Sequence, residues 1–406
     1  MEEFDVLVLG GLYPEKLMQE VLDKSSGTPE LASNAHLRLV LGGLDAAFGR
    51  PVTLFNLVPI GSWPKRYQDA KIPRFSFAHT PGAKDLNLGF SNVTLIKKLS
   101  KRKSLLKEIK NWAATNREKQ KILFLYTLQS HYLDAAAMVK KRCPAAHVCL
   151  MVPDLPAFTD IDKVGSLLHR LFTAHRVHST FRKLPIADSF VFLTKSMADY
   201  FQTKKPYTVI EGMVDPALDF PSAKKADALR VVTYTGTFTK KYGIMELVNA
   251  FMQLSDDAYR LVLCGGGEAE PDLRRAAARD KRILLKGTLP REEALRLQRE
   301  STILVNPRGP EGEYTKYSFP SKLMEYMLSG RPVLCYRLPG IPAEYDAYLN
   351  YISESLVESI QALCRLPEDA LSSAGARAKD FVLSQKTNVA QMQKAVDMMK
   401  GCLQHE

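Results

Sequence analysis

Short apolar runs alternate with amphipathic stretches of helical length along most of the chain. Residues 6–9, 52–57, 122–126, 147–152 and 189–193 read as strands in the first half, and 231–234, 261–263, 283–285, 303–305 and 333–335 in the second. Their near-continuous Val, Leu and Ile content is that of strands covered on both faces. Between them, residues 35–48 and 244–252 carry apolar positions at helical spacing. The alternation predicts parallel α/β architecture, and its restart at residue 231 predicts two such domains, 1–212 and 213–385, with 209–216 as the crossing and 386–406 as a closing segment. Residues 59–92, rich in Pro, Gly and aromatics, read as one long irregular connection.

The candidate chemistry sits just past strand ends, where open α/β sheets take ligands. In the stretch FPSKLMEYMLSGRPVL, residues 319–334, Leu323, Met324, Met327 and Leu328 mark a helix that Gly330 and Pro332 end. Ser321 is the expected N-cap, so the free N–H groups of the first turn and Lys322 suit a phosphate. Glu325, one turn on, suits two vicinal hydroxyls such as those of a ribose. A Lys and a Glu three apart also read as an ordinary solvated surface pair. Upstream, Gly236, Lys240 and Lys241 lie in the loop TGTFTKKYG, Gly265, Gly266 and Gly267 follow another strand, and Arg308 is placed to reach phosphate oxygens bidentately. Gly10 and Gly11 end the first strand, where they permit a close backbone approach or simply a turn. His131 and Asp154 follow two further strands and are weak candidates for contacting an acceptor, the alternatives being an incidental loop histidine and a turn cap.

A chain of 406 residues is too long for one ordinary core, and 46% hydrophobic with 25% charged residues is a globular composition. The start is acidic and runs straight into a strand, so no leader segment is expected, and no apolar run is long enough to span a bilayer. The six scattered cysteines have no metal-ligand or CxxC spacing and suit reduced core residues of a cytoplasmic protein. The net charge is +12, of which roughly +11 falls before residue 213, so one domain is expected to face something anionic. Its densest basic run holds Lys97, Lys98, Lys101, Arg102, Lys103, Lys107 and Lys110 among Leu95, Ile96, Leu99, Leu105, Leu106, Ile109 and Trp112. That pattern suits either an amphipathic helix lying on an anionic membrane or a solvated helix face. A second basic segment, 169–183, is read as surface facing the same partner.

Four strand-end motifs in order, YTGTFTKKYG (234–243), CGGGE (264–268), NPRG (306–309) and SFPSKLMEYMLSGRPVL (318–334), resemble the retaining glycosyltransferases of family 4, especially bacterial enzymes of capsule and exopolysaccharide assembly. The likeness covers most of the second half and is weaker in the first, where Gly10-Gly11 and PDLP (153–156) carry it. It implies a GT-B fold: two Rossmann-like domains facing across a cleft, acceptor mainly on the first, nucleotide sugar mainly on the second, and a last helix crossing back to the first. It implies that Gly236, Lys241, Arg308, Ser321 and Lys322 contact a diphosphate, that Gly265, Gly266 and Gly267 border the nucleotide, that Glu325 binds the ribose, and that no metal or other cofactor is needed. Two positions depart from the family. Tyr317 stands where the family has the first of two glutamates, the one that commonly sits by the donor sugar, with Glu313 four residues earlier. Tyr242 stands where a lysine usually precedes the glycine, leaving the role to Lys240 or Lys241.

These readings point to transfer of a sugar from a nucleoside diphosphate to a hydroxyl of a lipid-linked or oligosaccharide acceptor, with Lys241, Arg308 and Lys322 stabilising the leaving diphosphate. The chain lacks an evident paired-carboxylate constellation, which disfavours a glycosidase. The alternatives are a phosphorylase or epimerase of the same fold, and a catalytically silent relative that binds lipid-linked glycan or partners an active transferase. A nucleic-acid reader has no recognised motif to support it.

Overall fold

The computed structural model describes residues 3–27, 29–155, 178–218 and 229–404. They form two compact units, Met1–Ile210 with Asn388–Glu406, and Glu211–Thr387.

The first unit comprises β1 (Phe4–Gly10), α1 (Glu15–Lys24), α2 (Leu31–Phe48), β2 (Thr53–Asn56), β3 (Lys71–Ile72), β4 (Phe75–Phe77), β5 (Asp85–Asn87), β6 (Phe90–Ser91), α3 (Lys97–Trp112), β7 (Gln120–Tyr126), α4 (Ser130–Arg142), β8 (His147–Val152), β9 (Ser189–Phe192), α5 (Lys195–Phe201) and β10 (Tyr207–Val209). Its main sheet runs β10-β9-β8-β7-β1-β2-β5-β4, parallel except where β4 meets β5. Strand order reverses beside β1, whose residues Leu7, Val8 and Leu9 are wholly buried. The closing helix belongs to this unit. It crosses α2 at Gly43, where a Cβ would strike the Asn388 carbonyl and the Met392 side chain, and Asn388 donates to the Leu39 carbonyl at 3.2 Å.

Two expectations for this unit are corrected. The stretch 59–92 is not one irregular connection, because β5 pairs in parallel with β2 and β4 pairs with β5. Polar side chains hide these strands from an apolar pattern: Asn56 donates to Asn87 at 2.9 Å, and buried Asp85 accepts the Leu54 N–H at 2.9 Å. The seven basic residues of the α3 run do not share one outward face. Leu105, Ile109 and Trp112 are buried and set the helix phase, which turns Lys97 and Lys101 inward to the Ile60 and Val58 carbonyls. Arg102 is held by Asp134 at 2.6 Å. Lys98, Lys103, Lys107 and Lys110 remain exposed, beside Leu95 and Leu99, which are 89% and 68% exposed. Of the second basic segment, residues 169–177 lie outside the described residues, as does Pro156 of the PDLP motif. Lys183 donates to Ser130 at 2.9 Å and Asp134 at 2.6 Å.

The second unit comprises β11 (Arg230–Thr235), α6 (Ile244–Met252), β12 (Tyr259–Cys264), α7 (Glu270–Arg279), β13 (Ile283–Gly287), α8 (Arg291–Arg299), β14 (Ile303–Asn306), α9 (Lys322–Leu328), β15 (Val333–Cys335), β16 (Asn350–Tyr351), α10 (Leu356–Cys364) and α11 (Glu368–Gln385). The closing helix of the first unit is α12 (Asn388–Gln404). The second sheet is parallel throughout in the order β13-β12-β11-β14-β15-β16, the order of dinucleotide-binding folds, and it reverses between β11 and β14. Leu261, Leu263, Ile303 and Val305 fill its core with Ile244, Leu247 and Phe251 of α6.

The six cysteines are free thiols, four of them buried. Among the described residues, no helix is long and apolar enough to cross a membrane. No group of three or more His, Cys, Asp or Glu among them is gathered to hold a metal ion.

Candidate functional site

The glycines of the second unit bring three strand-end loops together. A Cβ on Gly265, at φ +146°, would collide with the Gly236 carbonyl. One on Gly243, at φ +76°, would collide with the Pro307 carbonyl. The loops after β11, β12 and β14 therefore meet at the switch point because these positions lack side chains. Hydrogen bonds tie them: Gly236 N–H to the Cys264 carbonyl at 2.9 Å, Phe238 N–H to the Gly266 carbonyl at 2.9 Å, and Gly265 N–H to the Gly287 carbonyl at 2.8 Å. The N–H groups of Gly236 and Gly265 are thus engaged within the fold. Gly267 packs on the Phe238 backbone, whereas a Cβ on Gly266 would meet only Thr288 Oγ1 at 3.4 Å.

Two cations converge over one ring. Lys241 Nζ lies 4.8 Å from the Tyr314 ring centre, and the Arg308 guanidinium lies 4.8 Å from the same ring and 5.1 Å from that of Tyr242. Arg308 also donates to Ser318 Oγ at 2.8 Å, while its buried Nε has no hydrogen-bond partner. Lys240 points elsewhere, to an ion pair with Asp272 of α7 at 2.8 Å.

Lys322 and Glu325 stand beside the ends of β11 and β12. Lys322 Nζ pairs with Glu325 Oε1 at 2.8 Å. The same oxygen accepts from Gln298 of α8 at 2.6 Å, and that amide also donates to Thr235 Oγ1 at 2.8 Å. Tyr326 closes the network, accepting the Thr235 N–H at 2.7 Å and donating to the Thr235 carbonyl at 2.9 Å. Burial opposes charge on Glu325, but Lys322, the Gln298 hydrogen bond and the Arg291 charge outweigh it and hold the carboxyl pKa below its usual range. Glu325 is therefore an ionised acceptor, part-buried and held in one orientation.

Several expected residues are placed differently. Ser321 has helical dihedrals of −54° and −26°, is exposed, and makes no side-chain cap bond. The turn already begins at Pro320, whose carbonyl accepts the Leu323 N–H at 2.9 Å, so Ser321 lacks the extended backbone that an N-cap needs. The Tyr317 hydroxyl approaches Glu313 Oε1 at 3.4 Å. In the first unit, Gly10 packs on Leu37 and Gly11 on Leu57 and Pro59, so both serve the packing of the β1 end. His131 opens α4 edge-on to Tyr132, its ring centre 4.5 Å away, and burial aided by Lys101 lowers its pKa to about 4. Desolvation by the surrounding protein, with the Glu30 charge, pushes the Asp154 carboxyl pKa up to about 6. Gln298, Thr235, Tyr314 and Ser318 were not singled out from the sequence. Tyr314 and Ser318 fall inside or beside recognised motifs, whereas a glutamine on a polar helix carries no local signal.

Residues 229–369 match the family model for glycosyl transferases group 1. A comparison with curated proteins finds no match by sequence. Among solved structures, the chain resembles a sucrose-phosphate synthase from Thermosynechococcus elongatus, with a TM-score of 0.68 at 15% identity over 99% of this chain and 100% of the other. It resembles HepE from Anabaena in complex with UDP, with a TM-score of 0.61 at 14% identity over 98% and 100%. It resembles the lipopolysaccharide outer core galactosyltransferase WaaB, with a TM-score of 0.60 at 12% identity over 98% and 99%. Residues 229–369 are thus similar to glycosyl transferases group 1, the chain has the fold of the GT-B glycosyltransferases, and the two together support a glycosyltransferase.

Proposed function

We propose that the chain is a retaining, family 4-type transferase that moves a sugar from a nucleoside diphosphate to a hydroxyl of a lipid-linked or oligosaccharide acceptor in polysaccharide assembly, without a metal. The observations that carry this reading are the two cations Lys241 and Arg308 over the Tyr314 ring and the Lys322–Glu325 pair, all within the residues that match the family model. The UDP held by HepE makes uridine the first base to test. Glu325, ionised and oriented by Gln298, accepts the two ribose hydroxyls. Lys322 turns its remaining donors to the diphosphate.

As the glycosidic bond breaks, negative charge grows on the leaving diphosphate. Arg308, fixed between two rings and by Ser318, meets that charge with little rearrangement, its Nε still available to donate. An oxygen of the leaving group takes the acceptor proton on the same face, so no enzymic nucleophile is required. The exposed face of α3, with Leu95, Leu99, Lys103 and Lys110, rests on an anionic membrane surface on the cytoplasmic side.

Calorimetry of the purified chain against UDP, GDP, dTDP, ADP, CMP and their sugar conjugates tests the donor site, and a selective hit weakened by Lys322→Ala is expected. No hit across the panel would favour a silent partner of another transferase. For the membrane surface, Leu95→Asp with Leu99→Asp is expected to abolish sedimentation with anionic vesicles, and equal binding to neutral vesicles would remove that part of the reading.

A further inference from the structure

Arg308, on the loop after β14, is held by rings and not by a counter-charge. Its guanidinium lies 5.1 Å from the ring centre of Tyr242 and 4.8 Å from that of Tyr314, and it donates to Ser318 Oγ at 2.8 Å. Among the described residues, no carboxylate lies within ion-pair distance of it. Arg282 shows the contrast: it also lies over a ring, 5.2 Å from the centre of Phe251, but Asp280 at 2.7 Å offsets its charge. The backbone fixes both tyrosines. Tyr242 ends a short 3-10 turn, Lys240–Tyr242, and Gly243 follows it at φ +76°, so close to Pro307 that a Cβ would strike the Pro307 carbonyl. That approach brings Tyr242 and Arg308, the chain neighbours of these two residues, together. Tyr314 lies in a second such turn, Glu313–Lys316, after Gly312 at φ +92°, where a Cβ would meet the Tyr314 ring at 2.6 Å. Ser318 Oγ donates in turn to the Tyr314 carbonyl at 3.0 Å, which ties this turn to the arginine.

We propose that Tyr242 and Tyr314 are positioning residues for Arg308, aromatic holders that orient its guanidinium toward the leaving diphosphate without neutralising it. The service to a diphosphate rests on the donor reading above, whereas the holding itself does not. A carboxylate in their place would orient the arginine but offset its charge, and a phosphate would have to displace it. An aromatic face attracts the cation through its quadrupole and carries no net charge, so the full positive charge remains for an anion. Arg308 Nε is buried without a hydrogen-bond partner, so hydrogen bonding within the fold does not account for the orientation of the group. Tyr314 serves twice: Lys241 Nζ lies 4.8 Å from the same ring centre, and one ring draws two like charges to one place. Tyr242, which departs from the lysine usual in the resembled family, thereby has a task. It adds no cation and steadies the one at position 308.

The test joins nuclear magnetic resonance of the full chain, isotope-labelled at arginine, to a double-mutant cycle read by calorimetry with UDP and with inorganic pyrophosphate. The Arg308 side-chain signal, assigned by its loss in Arg308→Lys, is expected to carry a ring-current shift that shrinks in Tyr242→Leu and persists in Tyr242→Phe. Tyr242→Leu is expected to weaken both probes about 3- to 30-fold, the range of one cation–π contact, while Tyr242→Phe retains most of the affinity. Tyr314→Leu, which releases two cations, is expected to cost more than Tyr242→Leu. In an Arg308→Ala background, Tyr242→Leu is expected to cost nothing further, because the ring acts through the arginine. An Arg308 signal unmoved by Tyr242→Leu overturns the proposal. So does an undiminished loss of affinity in the Arg308→Ala background, which would mark a direct contact between ring and ligand or a general loss of fold. If the unaltered chain binds neither UDP nor pyrophosphate, the donor reading fails, and the arginine signal alone decides whether the rings hold Arg308.

Discussion

Lys386→Met is the perturbation whose cost follows most directly from the structure. Lys386 follows α11 and is 2% exposed at its side chain, with Nζ 2.6 Å from Glu211 Oε1 and 2.7 Å from Glu344 Oε1. Glu211 is 3% exposed and also accepts from the Tyr345 hydroxyl, while Glu344 is nearly half exposed. At 2.6 Å and an effective dielectric of about 20, the Coulomb attraction to Glu211 is about 6 kcal/mol, much of it offset by the desolvation of both ions. Methionine fills the space but leaves the Glu211 carboxylate buried with one hydroxyl donor, which costs about 3–5 kcal/mol. The solvated Glu344 contact adds no more than about 1 kcal/mol. Both tryptophans, Trp63 and Trp112, lie in the first unit. Urea unfolding followed by far-ultraviolet circular dichroism should therefore show a component that shifts down by roughly 2 M while tryptophan fluorescence keeps its midpoint. Adding Glu211→Gln removes the stranded charge and should recover at least about 2 kcal/mol. A loss below about 1 kcal/mol in the single variant, or no recovery in the double, would refute the reasoning.

Gln298→Leu removes the donor that orients Glu325, so nucleotide affinity should fall about tenfold by calorimetry while the fold persists. Arg308→Ala should lower turnover more than donor affinity, because its contact strengthens as charge develops, and steady-state kinetics will show the split. Gly265→Ala should cost about 1–3 kcal/mol and abolish nucleotide binding, since its Cβ forces the β11 and β12 loops apart at a φ that L-residues rarely adopt. Burial alone would discharge His79, but the hydrogen bonds its ring donates to the Asp45 and Asp85 carboxylates outweigh it and raise its pKa to about 9. Its stabilisation is fully present below pH 6.5 and is lost as pH rises through about 9, up to about 3 kcal/mol in all. Tryptophan-monitored urea unfolding should show that slope, and His79→Gln should flatten it.

The strands of the second unit were legible because a parallel sheet covered on both faces needs unbroken apolar runs, and residues 244–252 were legible as a helix by their spacing. The glycines at 243 and 265 were legible as loop positions, since few other residues tolerate such an approach. Ser321 was misread because Ser after Pro before an apolar run signals an N-cap, while the observed turn starts one residue earlier. The inward turn of Lys97 and Lys101 had a local signal: the phase of Leu105, Ile109 and Trp112, continued back along the helix, points to those two lysines. The apolar Leu95 and Leu99 suggest the opposite face and mask it. Gln298 had no such signal, because its partner Glu325 lies 27 residues away and only the packing of α8 beside α9 joins them.

The chain by itself determined the alternation of buried strands and helices, the places where the backbone must come close, and the order of the strand-end loops of the second unit. Each of these depends on side-chain size, shape or spacing along a short segment. Only the tertiary structure decided what each charge does. Lys240 went to Asp272, Lys241 and Arg308 to one aromatic ring, Lys322 to Glu325, and Lys101 to a loop carbonyl. The physical reason is that a charge takes its energy and role from desolvation and from partners within a few ångströms, and those partners are distant in sequence.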